Sequence, residues 1–336
     1  MNGPLFNNHH SSFNNAFLAV NHAATQNSAA LGWSRLPAAY AIPATAPNLD
    51  EAREYCARLA RSHYENFSVA SWFLPKRLRQ HFFNVYAYCR ISDDLGDEVG
   101  DTQASLALLD QWQCELDACY DGSPKHPVFV ALAETVRQFD IPKQEFSDLL
   151  TAFRQDQTVT RFETFDDVLH YCHYSANPVG HLVLYLCGYR DPERQALSDF
   201  TCTALQLANF WQDVSVDYEK GRVYLPLEDL RRFGVSENDI AKRQNTPALC
   251  SMMQFEVERT RDWFHRGLPL VGKVDRELAI DLDLFTRGGL EILNAIEKQR
   301  YAVLGNRPAI SKSRKLALVA HAAMAKIFGR SGEVPR

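Results

Sequence analysis

The stretch LQLANFWQDVSVDYEKGR, residues 205–222, begins as the middle of an apolar helix and ends in closely spaced acids. Asn209, Asp213 and Asp217 recur every four residues, and side chains at that spacing share one face of an α-helix. No charged residue occurs within 200–212, so this polar column rises from an apolar surface. We therefore expect a compensating cation beside the column, because carboxylates in apolar surroundings are costly when unpaired.

A second acidic column is predicted within YAYCRISDDLGDE, residues 86–98, which follows another uncharged apolar run. Arg90, Asp93 and Asp97 lie at i, i+3 and i+7, a spacing that brings them to one helix face. Carboxylate oxygens are the ligands that Mg²⁺ prefers, and this ion is commonly held by a few acids, by waters and by the phosphates of a substrate. The two columns together predict a Mg²⁺-dependent site for a phosphorylated substrate.

Two other interpretations of these columns stay open. Each could be the solvated face of an ordinary amphipathic helix. A di-iron carboxylate bundle is the other alternative, because His170 and His173 follow Asp167 at a suggestive spacing, but the Glu-x-x-His pairs of such bundles are missing from the sequence. An iron determination on the purified protein would test that alternative.

Length and composition restrict the class of protein. The chain has 336 residues, of which 46% are hydrophobic, enough for a sizeable core. A net charge of -5 and a pI near 6.1 give no support to a nucleic-acid partner. Eight cysteines without a CxxC pair are typical of a reducing cytoplasm.

The longest uncharged apolar run, 179–189, is about half of the roughly 20 residues that a membrane span needs. We expect a cytoplasmic protein without a transmembrane segment, and peripheral contact with the inner membrane stays open.

Helical patterns dominate after residue 48, and strand alternation is nearly absent. The prediction is a single all-α domain over 49–330, preceded by a disordered extension over 1–48 that is rich in Asn, Ala and Ser. Capping and proline signals predict helices over 48–62, 75–98, 102–121 and 142–155. A long helix is predicted from 164, interrupted at Pro178, and another from 191 through the quoted stretch. Three more are predicted over 246–268, 275–304 and 310–328. RVYLP, residues 222–226, is the only β-like fragment.

Three motifs together resemble the squalene/phytoene synthase family of head-to-head prenyl diphosphate enzymes. They are CR followed by DDLGDE (89–98), YCHYSANPVG (171–180) and NFWQDVSVDYEKGRVYLP (209–226). The resemblance covers residues 50–330, and the order and separation of the motifs agree with those of the family. It implies an all-α isoprenoid synthase fold with a central cavity between the two acidic helices.

Residue by residue, the resemblance implies a site made from all three motifs. The implied Mg²⁺ ligands are Asp93, Asp97, Asn209, Asp213 and Asp217. The four aspartates also serve catalysis, and Asn209 also contacts the substrate. The implied diphosphate contacts are Arg90, Lys220, Arg222 and Tyr224. Tyr171 matches a catalytic tyrosine near the reacting carbons, although a core aromatic is the alternative. Ala176 and Gly180 are expected to leave room for the isoprenoid tail, although close helix packing would explain the same small residues.

Two departures from the family pattern suggest which reaction is catalysed. Glu65, within YENF at 64–67, stands where condensing members carry a basic residue, and Gln212 stands where many carry arginine. Both changes remove positive charge that a second diphosphate would need. Within the family, the motifs most resemble bacterial hydroxysqualene synthase of the hopanoid pathway, which implies Mg²⁺, no NADPH, and functional partners in that pathway. Squalene synthase or phytoene synthase, each condensing two prenyl diphosphates, is the alternative, and a non-catalytic relative or a lipid-binding module also stays open.

The remaining polar features are interpreted as structural. We expect His81, His170, His173 and His181 to be core or surface residues, with one of them placing the incoming water as the alternative. The basic cluster near the C-terminus is expected to form a solvated face, with contact to anionic lipid as the alternative. That cluster comprises Arg307, Lys312, Arg314 and Lys315.

Overall fold

The computed structural model describes residues 29–62 and 76–328, and that part of the chain is helical without a β-strand. An isolated bridge between Arg161 and Val223 is its one β pairing within the described ranges. A short helical segment at 29–35 and a 3₁₀ turn at Ala38–Tyr40 come first. The helices that follow are α1 (Leu49–Ser62), α2 (Arg79–Asp97), α3 (Thr102–Asp121), α4 (Pro127–Phe139), α5 (Lys143–Gln155), α6 (Phe165–Ser175), α7 (Asn177–Leu186), α8 (Pro192–Glu219), α9 (Leu227–Phe233), α10 (Glu237–Ala241), α11 (Pro247–Gly267), α12 (Arg276–Lys298) and α13 (Lys312–Phe328).

Side-chain caps begin several helices where the sequence signals predict them. Asn48 and Glu51 form the predicted capping box of α1, with N–O distances of 3.1 and 3.0 Å. Thr164 accepts from the backbone of Asp167 at the start of α6. Gly122 takes the left-handed conformation that ends α3, with φ of 92°. The predicted helix starts at 48, 102, 142, 164 and 191 are therefore confirmed. The sequence patterns do not predict α4, α9 or α10.

Helix α8 is the central helix of the domain, and it packs against α7, α11 and α12. Its middle turns, 200–212, carry no charged residue and most of their side chains are buried, which suits a helix surrounded by others. Trp211 is fully buried, and its indole N–H donates to Thr260 Oγ1 on α11 at 2.7 Å. At Gly289 of α12, a Cβ would collide with Phe264, so a glycine allows α12 to approach α11 closely.

The boundary predicted at residue 48 is wrong for the part of the extension that the structure describes. Ala29, Leu36 and Tyr40 are buried in the core with side chains from α1 to α5. Arg35 donates to the Val99 carbonyl at 2.7 Å, and Trp33 donates to Gln111 at 2.8 Å. The folded domain therefore includes residues from Ala29 onward, because these segments bury apolar area against α2 and α3. Residues 1–28 lie outside the described ranges, so disorder there stays a prediction.

The fold brings the C-terminal ends of α2 and α8 to one side of the bundle, as a contact between Asp97 and Arg222 shows. Neither helix carries a basic residue in its last turn, although both end in acids. Such an arrangement opposes the helix dipole and is unfavourable for stability. In the described part of the chain, no helix has both the length and the apolar character of a membrane span.

Candidate active site

The first acidic motif occupies the last two turns of α2. Arg90 Nε donates to Asp94 Oδ2 at 3.1 Å, and the hydroxyl of Tyr40 donates to the same oxygen at 2.8 Å. Asp94 is therefore a buried anchor that fixes the guanidinium of Arg90. The side chain of Asp93 is half-exposed and lies 3.6 Å from Arg90 Nη1. Burial, followed by the negative charge of Asp97, raises the pKa of Asp93 to about 6.

The second acidic motif follows one face of α8, as its spacing predicts. Asn209 is exposed although it lies in the middle of this central helix, so its amide faces open space. Burial, followed by the charge of Asp213, raises the pKa of Asp217 to about 7, while Lys220 and Arg222 oppose that rise. Like-charged carboxylates are thus held close together in the second motif as well.

The loop after α8 connects the two motifs. Arg222 Nη2 donates to Asp97 Oδ1 at 2.9 Å, and Lys220 Nζ lies 3.7 Å from Asp97 Oδ2. Gly221 makes this turn possible because its φ of 82° lies in the left-handed region. The backbone N–H of Val223 then donates to the Thr160 carbonyl at 2.9 Å, which holds the loop against the segment before α6. The basic residues predicted to contact diphosphate therefore lie between the two acidic motifs.

An aromatic wall stands beside this cluster. Phe210 and Tyr224 stack with ring centroids 3.8 Å apart and planes inclined by 6°. Tyr171 is buried, and its ring centroid lies 5.5 Å from that of Phe162 and 6.1 Å from that of Phe210. Tyr171 thus belongs to the core and also reaches the site, so the two sequence interpretations of this residue are compatible.

Asp156 is a site residue that the sequence interpretation missed. It caps the C-terminus of α5, and its Oδ2 accepts a hydrogen bond from the Tyr171 hydroxyl at 3.0 Å. Burial raises the pKa of Asp156 to about 6, the charge of Arg222 opposes the rise, and Asp97 and Asp93 contribute to it. No spacing signal marks this residue, because it lies on neither acidic column and its partner is 15 positions away.

Arg307 is exposed, as expected for a solvated basic face, but it also pairs with the second acidic motif, which the sequence does not predict. Its Nη2 donates to Asp213 Oδ2 at 2.9 Å and to Gln212 Oε1 at 3.0 Å. A guanidinium from the segment after α12 therefore stands beside the glutamine that was interpreted as a loss of positive charge. The effect of Gln212 on binding of a second diphosphate therefore stays a prediction, with Arg307 as a neighbouring source of positive charge. Arg314 is also paired, with Glu291 at 2.8 Å. Glu65, the other departure, lies outside the described residues.

The small residues of α7 do not all face open space. A Cβ at Gly180 would overlap Ser198 Oγ and Cys202 Sγ on α8, so this glycine serves close packing between α7 and α8. Ala176 is buried at the break between α6 and α7. Tail lining by Gly180 is therefore wrong, and helix packing is the correct alternative for that residue. Val179, one position earlier, is exposed.

The donor set fits Mg²⁺ better than a di-iron centre. Among residues 29–62 and 76–328, no three His, Cys, Asp or Glu side chains are gathered closely enough to hold a metal by themselves. A di-iron bundle needs such a preformed cage, whereas Mg²⁺ commonly binds one or two carboxylates and completes its shell with waters and phosphates. Burial, followed by the like charge of a neighbouring carboxylate, raises the pKa of both Asp93 and Asp217, and a divalent ion would offset that crowding of carboxylates. His170 and His173 instead contact the ring of Tyr174.

Comparison with known proteins identifies relatives of the chain. Residues 60–314 match the family model described as squalene/phytoene synthase. A 15-cis-phytoene synthase of Synechococcus elongatus is 29% identical over 283 residues, which cover 80% of this chain and 91% of that protein.

Solved structures show the same fold. The structure described as squalene synthase HpnC from Alicyclobacillus acidocaldarius is 45% identical, with a TM-score of 0.72, covering 75% of this chain and 95% of that one. A dehydrosqualene synthase solved in complex with a ligand is 28% identical, with a TM-score of 0.75, covering 83% of this chain and 98% of that one.

Proposed function

We propose that this chain, which belongs to the squalene/phytoene synthase family, converts presqualene diphosphate to hydroxysqualene. In this reaction the C–O bond to diphosphate breaks, the cyclopropylcarbinyl cation opens, and water captures the rearranged cation with loss of a proton. No electrons are gained or lost, so no NADPH is required. The 45% identity to the HpnC structure, against 28–29% for the phytoene and dehydrosqualene synthases above, supports a hopanoid-type squalene pathway.

The observation that carries the proposal is the contact of Arg222 with Asp97, which joins both acidic motifs into one cluster. Arg90, Lys220 and Arg222 supply charged donors to that cluster, and such donors form strong hydrogen bonds to phosphate oxygens. A single cluster of this kind suits a substrate with one diphosphate, as presqualene diphosphate has.

The residues of this chain would then bind the diphosphate and shelter the cation. We assign Mg²⁺ to Asp93 and Asp97 on α2 and to Asn209, Asp213 and Asp217 on α8. When bound, Mg²⁺ would stabilise the negative charge that develops on the departing diphosphate. The rings of Phe162, Phe210 and Tyr224 exclude bulk water and present π-electron faces that favour a nearby cation.

One observation favours a second candidate function, the condensation of two prenyl diphosphates by a squalene or phytoene synthase. Arg307 lies beside Gln212 and adds positive charge at that edge of the site. A second diphosphate could use that charge. The relatives named above include enzymes described as phytoene, dehydrosqualene and squalene synthases, which is compatible with this candidate.

Product identification separates the two candidates. The purified protein is incubated with Mg²⁺ and presqualene diphosphate without NADPH, and in parallel with farnesyl diphosphate or geranylgeranyl diphosphate. Hydroxysqualene from presqualene diphosphate, with much slower use of the other two substrates, is the expected result. Comparable consumption of farnesyl diphosphate, or a C40 product, would favour the condensing enzymes. A parallel reaction with EDTA tests the requirement for the metal.

A further inference from the structure

The proposed reaction leaves one proton to be removed, because a water that attacks a carbocation first gives a protonated alcohol. The new C–O bond uses a lone pair of the water, and one O–H bond must break with its electrons staying on oxygen. A base beside the water removes this proton and makes the capture irreversible, whereas a base beside a C–H bond next to the cationic carbon would take a proton from carbon and give a hydrocarbon. The group that receives the water's proton therefore decides between alcohol and hydrocarbon.

Few side chains of the site can take that proton. Arginine and lysine are donors without an acceptor, which removes Arg90, Lys220 and Arg222. Among the acids of the two motifs, Asp97 binds Arg222, Asp213 binds Arg307 and Asp93 lies 3.6 Å from Arg90. The proposed metal would engage these three acids and Asp217. Asp156 is a site carboxylate that belongs to neither motif.

Asp156 reaches the aromatic wall through Tyr171. The Tyr171 hydroxyl donates to Asp156 Oδ2 at 3.0 Å, and the Tyr224 hydroxyl also interacts with the Tyr171 hydroxyl. Because a hydroxyl oxygen has two acceptor lone pairs, one remains for a further proton donor. The turn that carries Asp156 is held at both ends: the Asp156 N–H donates to the Ala152 carbonyl at 2.9 Å, and Gln157 Nε2 donates to the Gly96 carbonyl of α2, also at 2.9 Å. Tyr171 is buried among rings that exclude bulk water. The carboxylate and the hydroxyl are thus pre-positioned relative to each other.

We propose that Asp156 and Tyr171 form the relay that directs the capturing water and removes its proton. The water donates to the phenolic oxygen of Tyr171, and as the C–O bond forms its proton passes to that oxygen while the phenolic proton passes to Asp156. Tyr171 is the catalytic residue, and Asp156 is the positioning residue that acts through it. The relay rests on the proposed conversion of presqualene diphosphate to hydroxysqualene.

The test measures how the products divide between alcohol and hydrocarbon. Wild type, Asp156→Asn, Asp156→Glu and Tyr171→Phe are incubated with Mg²⁺ and presqualene diphosphate in H₂¹⁸O, and labelled hydroxysqualene, C30 hydrocarbons and released diphosphate are quantified. Because a general base contributes about 10²–10⁴-fold, the ratio of alcohol to hydrocarbon should fall at least about tenfold in Asp156→Asn and Tyr171→Phe. Asp156→Glu should recover much of the ratio. Asp110→Asn and Tyr120→Phe, which alter an exposed ion pair and a hydrogen bond outside the site, should match wild type.

The outcomes separate the relay from the proposed function. An unchanged ratio in Asp156→Asn or in Tyr171→Phe, while wild type makes hydroxysqualene, overturns the relay alone and points to the departing diphosphate as the base. If wild type makes no labelled alcohol, both proposals fall. A purely structural effect would lower diphosphate release with no change in the ratio, and that result also counts against the relay. If Asp156→Asn does not fold, Tyr171→Phe decides, because it removes one oxygen and leaves the ring in place.

Discussion

His181 joins three helices of the domain, and its replacement should lower stability in a pH-dependent way. Its Nδ1 lies 2.9 Å from a carboxylate oxygen of Glu145 on α5, and its Nε2 lies 2.7 Å from one of Asp199 on α8. Burial opposes the charged imidazolium, but the hydrogen bonds and charges of Asp199 and Glu145 together outweigh burial and raise the pKa of His181 to about 9. His181 therefore has the structural role that the sequence predicts, and it fills that role as a charged link between two carboxylates.

The size of the effect follows from that pKa. A rise from the ordinary value of 6.5 to about 9 corresponds to about 3 kcal/mol, because one pKa unit is worth about 1.4 kcal/mol. Since the pKa is raised in the folded state, the stabilisation is fully present below pH 6.5 and is lost as the pH rises through about 9. His181→Gln should therefore lower the free energy of unfolding by about 3 kcal/mol near pH 6 and by much less above pH 9.

Urea denaturation of wild type and His181→Gln at pH 6, 7.5 and 9.5 measures this difference directly. Other titrating groups are common to both proteins, so they cancel when the two free energies of unfolding are subtracted. His170→Gln is the matched control, because His170 is exposed and its ring packs against that of Tyr174. A difference between wild type and His181→Gln that is the same at pH 6 and pH 9.5 would refute the charged clamp.

Three further predictions concern the site and its support. Asp93→Asn and Asp213→Asn should each lower turnover by roughly 100-fold or more under saturating Mg²⁺, because loss of even an indirect metal contact costs about 10–100-fold; near-normal rates in a steady-state assay would contradict the metal assignment. Gly180→Ala should lower the free energy of unfolding by roughly 1–3 kcal/mol through overlap with Ser198, without changing the products, as urea denaturation and product analysis would show. Arg307→Gln should raise KM for the diphosphate substrate by roughly 10-fold, since a hydrogen bond to a charged group contributes about 1.5–3 kcal/mol; an unchanged KM would place Arg307 outside the binding site.

The helices and the acidic columns were predictable because their signals are local. A capping box such as that of Asn48 and Glu51 spans four residues, and a column such as Asn209, Asp213 and Asp217 spans about two helical turns. Both are written into the spacing of residues along one helix. The family resemblance then added the expected fold, which the structure confirms as all-α.

The contacts that sequence reasoning missed depend on pairs that are distant along the chain. Arg307 and Asp213 are 94 positions apart, and Tyr40 and Asp94 are 54 apart. A basic residue in a basic cluster gives no local sign that its guanidinium lies against an acid on another helix. The sequence also could not show which neighbour Gly180 faces. Room for a ligand and close packing against another helix both favour a residue without a side chain.

The acids of both motifs are paired with arginines in the structure, and this has a consequence for the proposed function. Asp97 is held by Arg222, and Asp213 by Arg307, which offsets part of the cost of crowding carboxylates at two helix C-termini. A divalent ion that binds these acids must compete with the guanidinium groups. Arginines displaced from the acids would then be free to bind the phosphate oxygens that arrive with the ion. Under the proposed function, metal and diphosphate should therefore bind cooperatively, and isothermal titration should show weak binding of Mg²⁺ alone and much tighter binding with inorganic pyrophosphate. Tight binding of Mg²⁺ alone would contradict this exchange of partners.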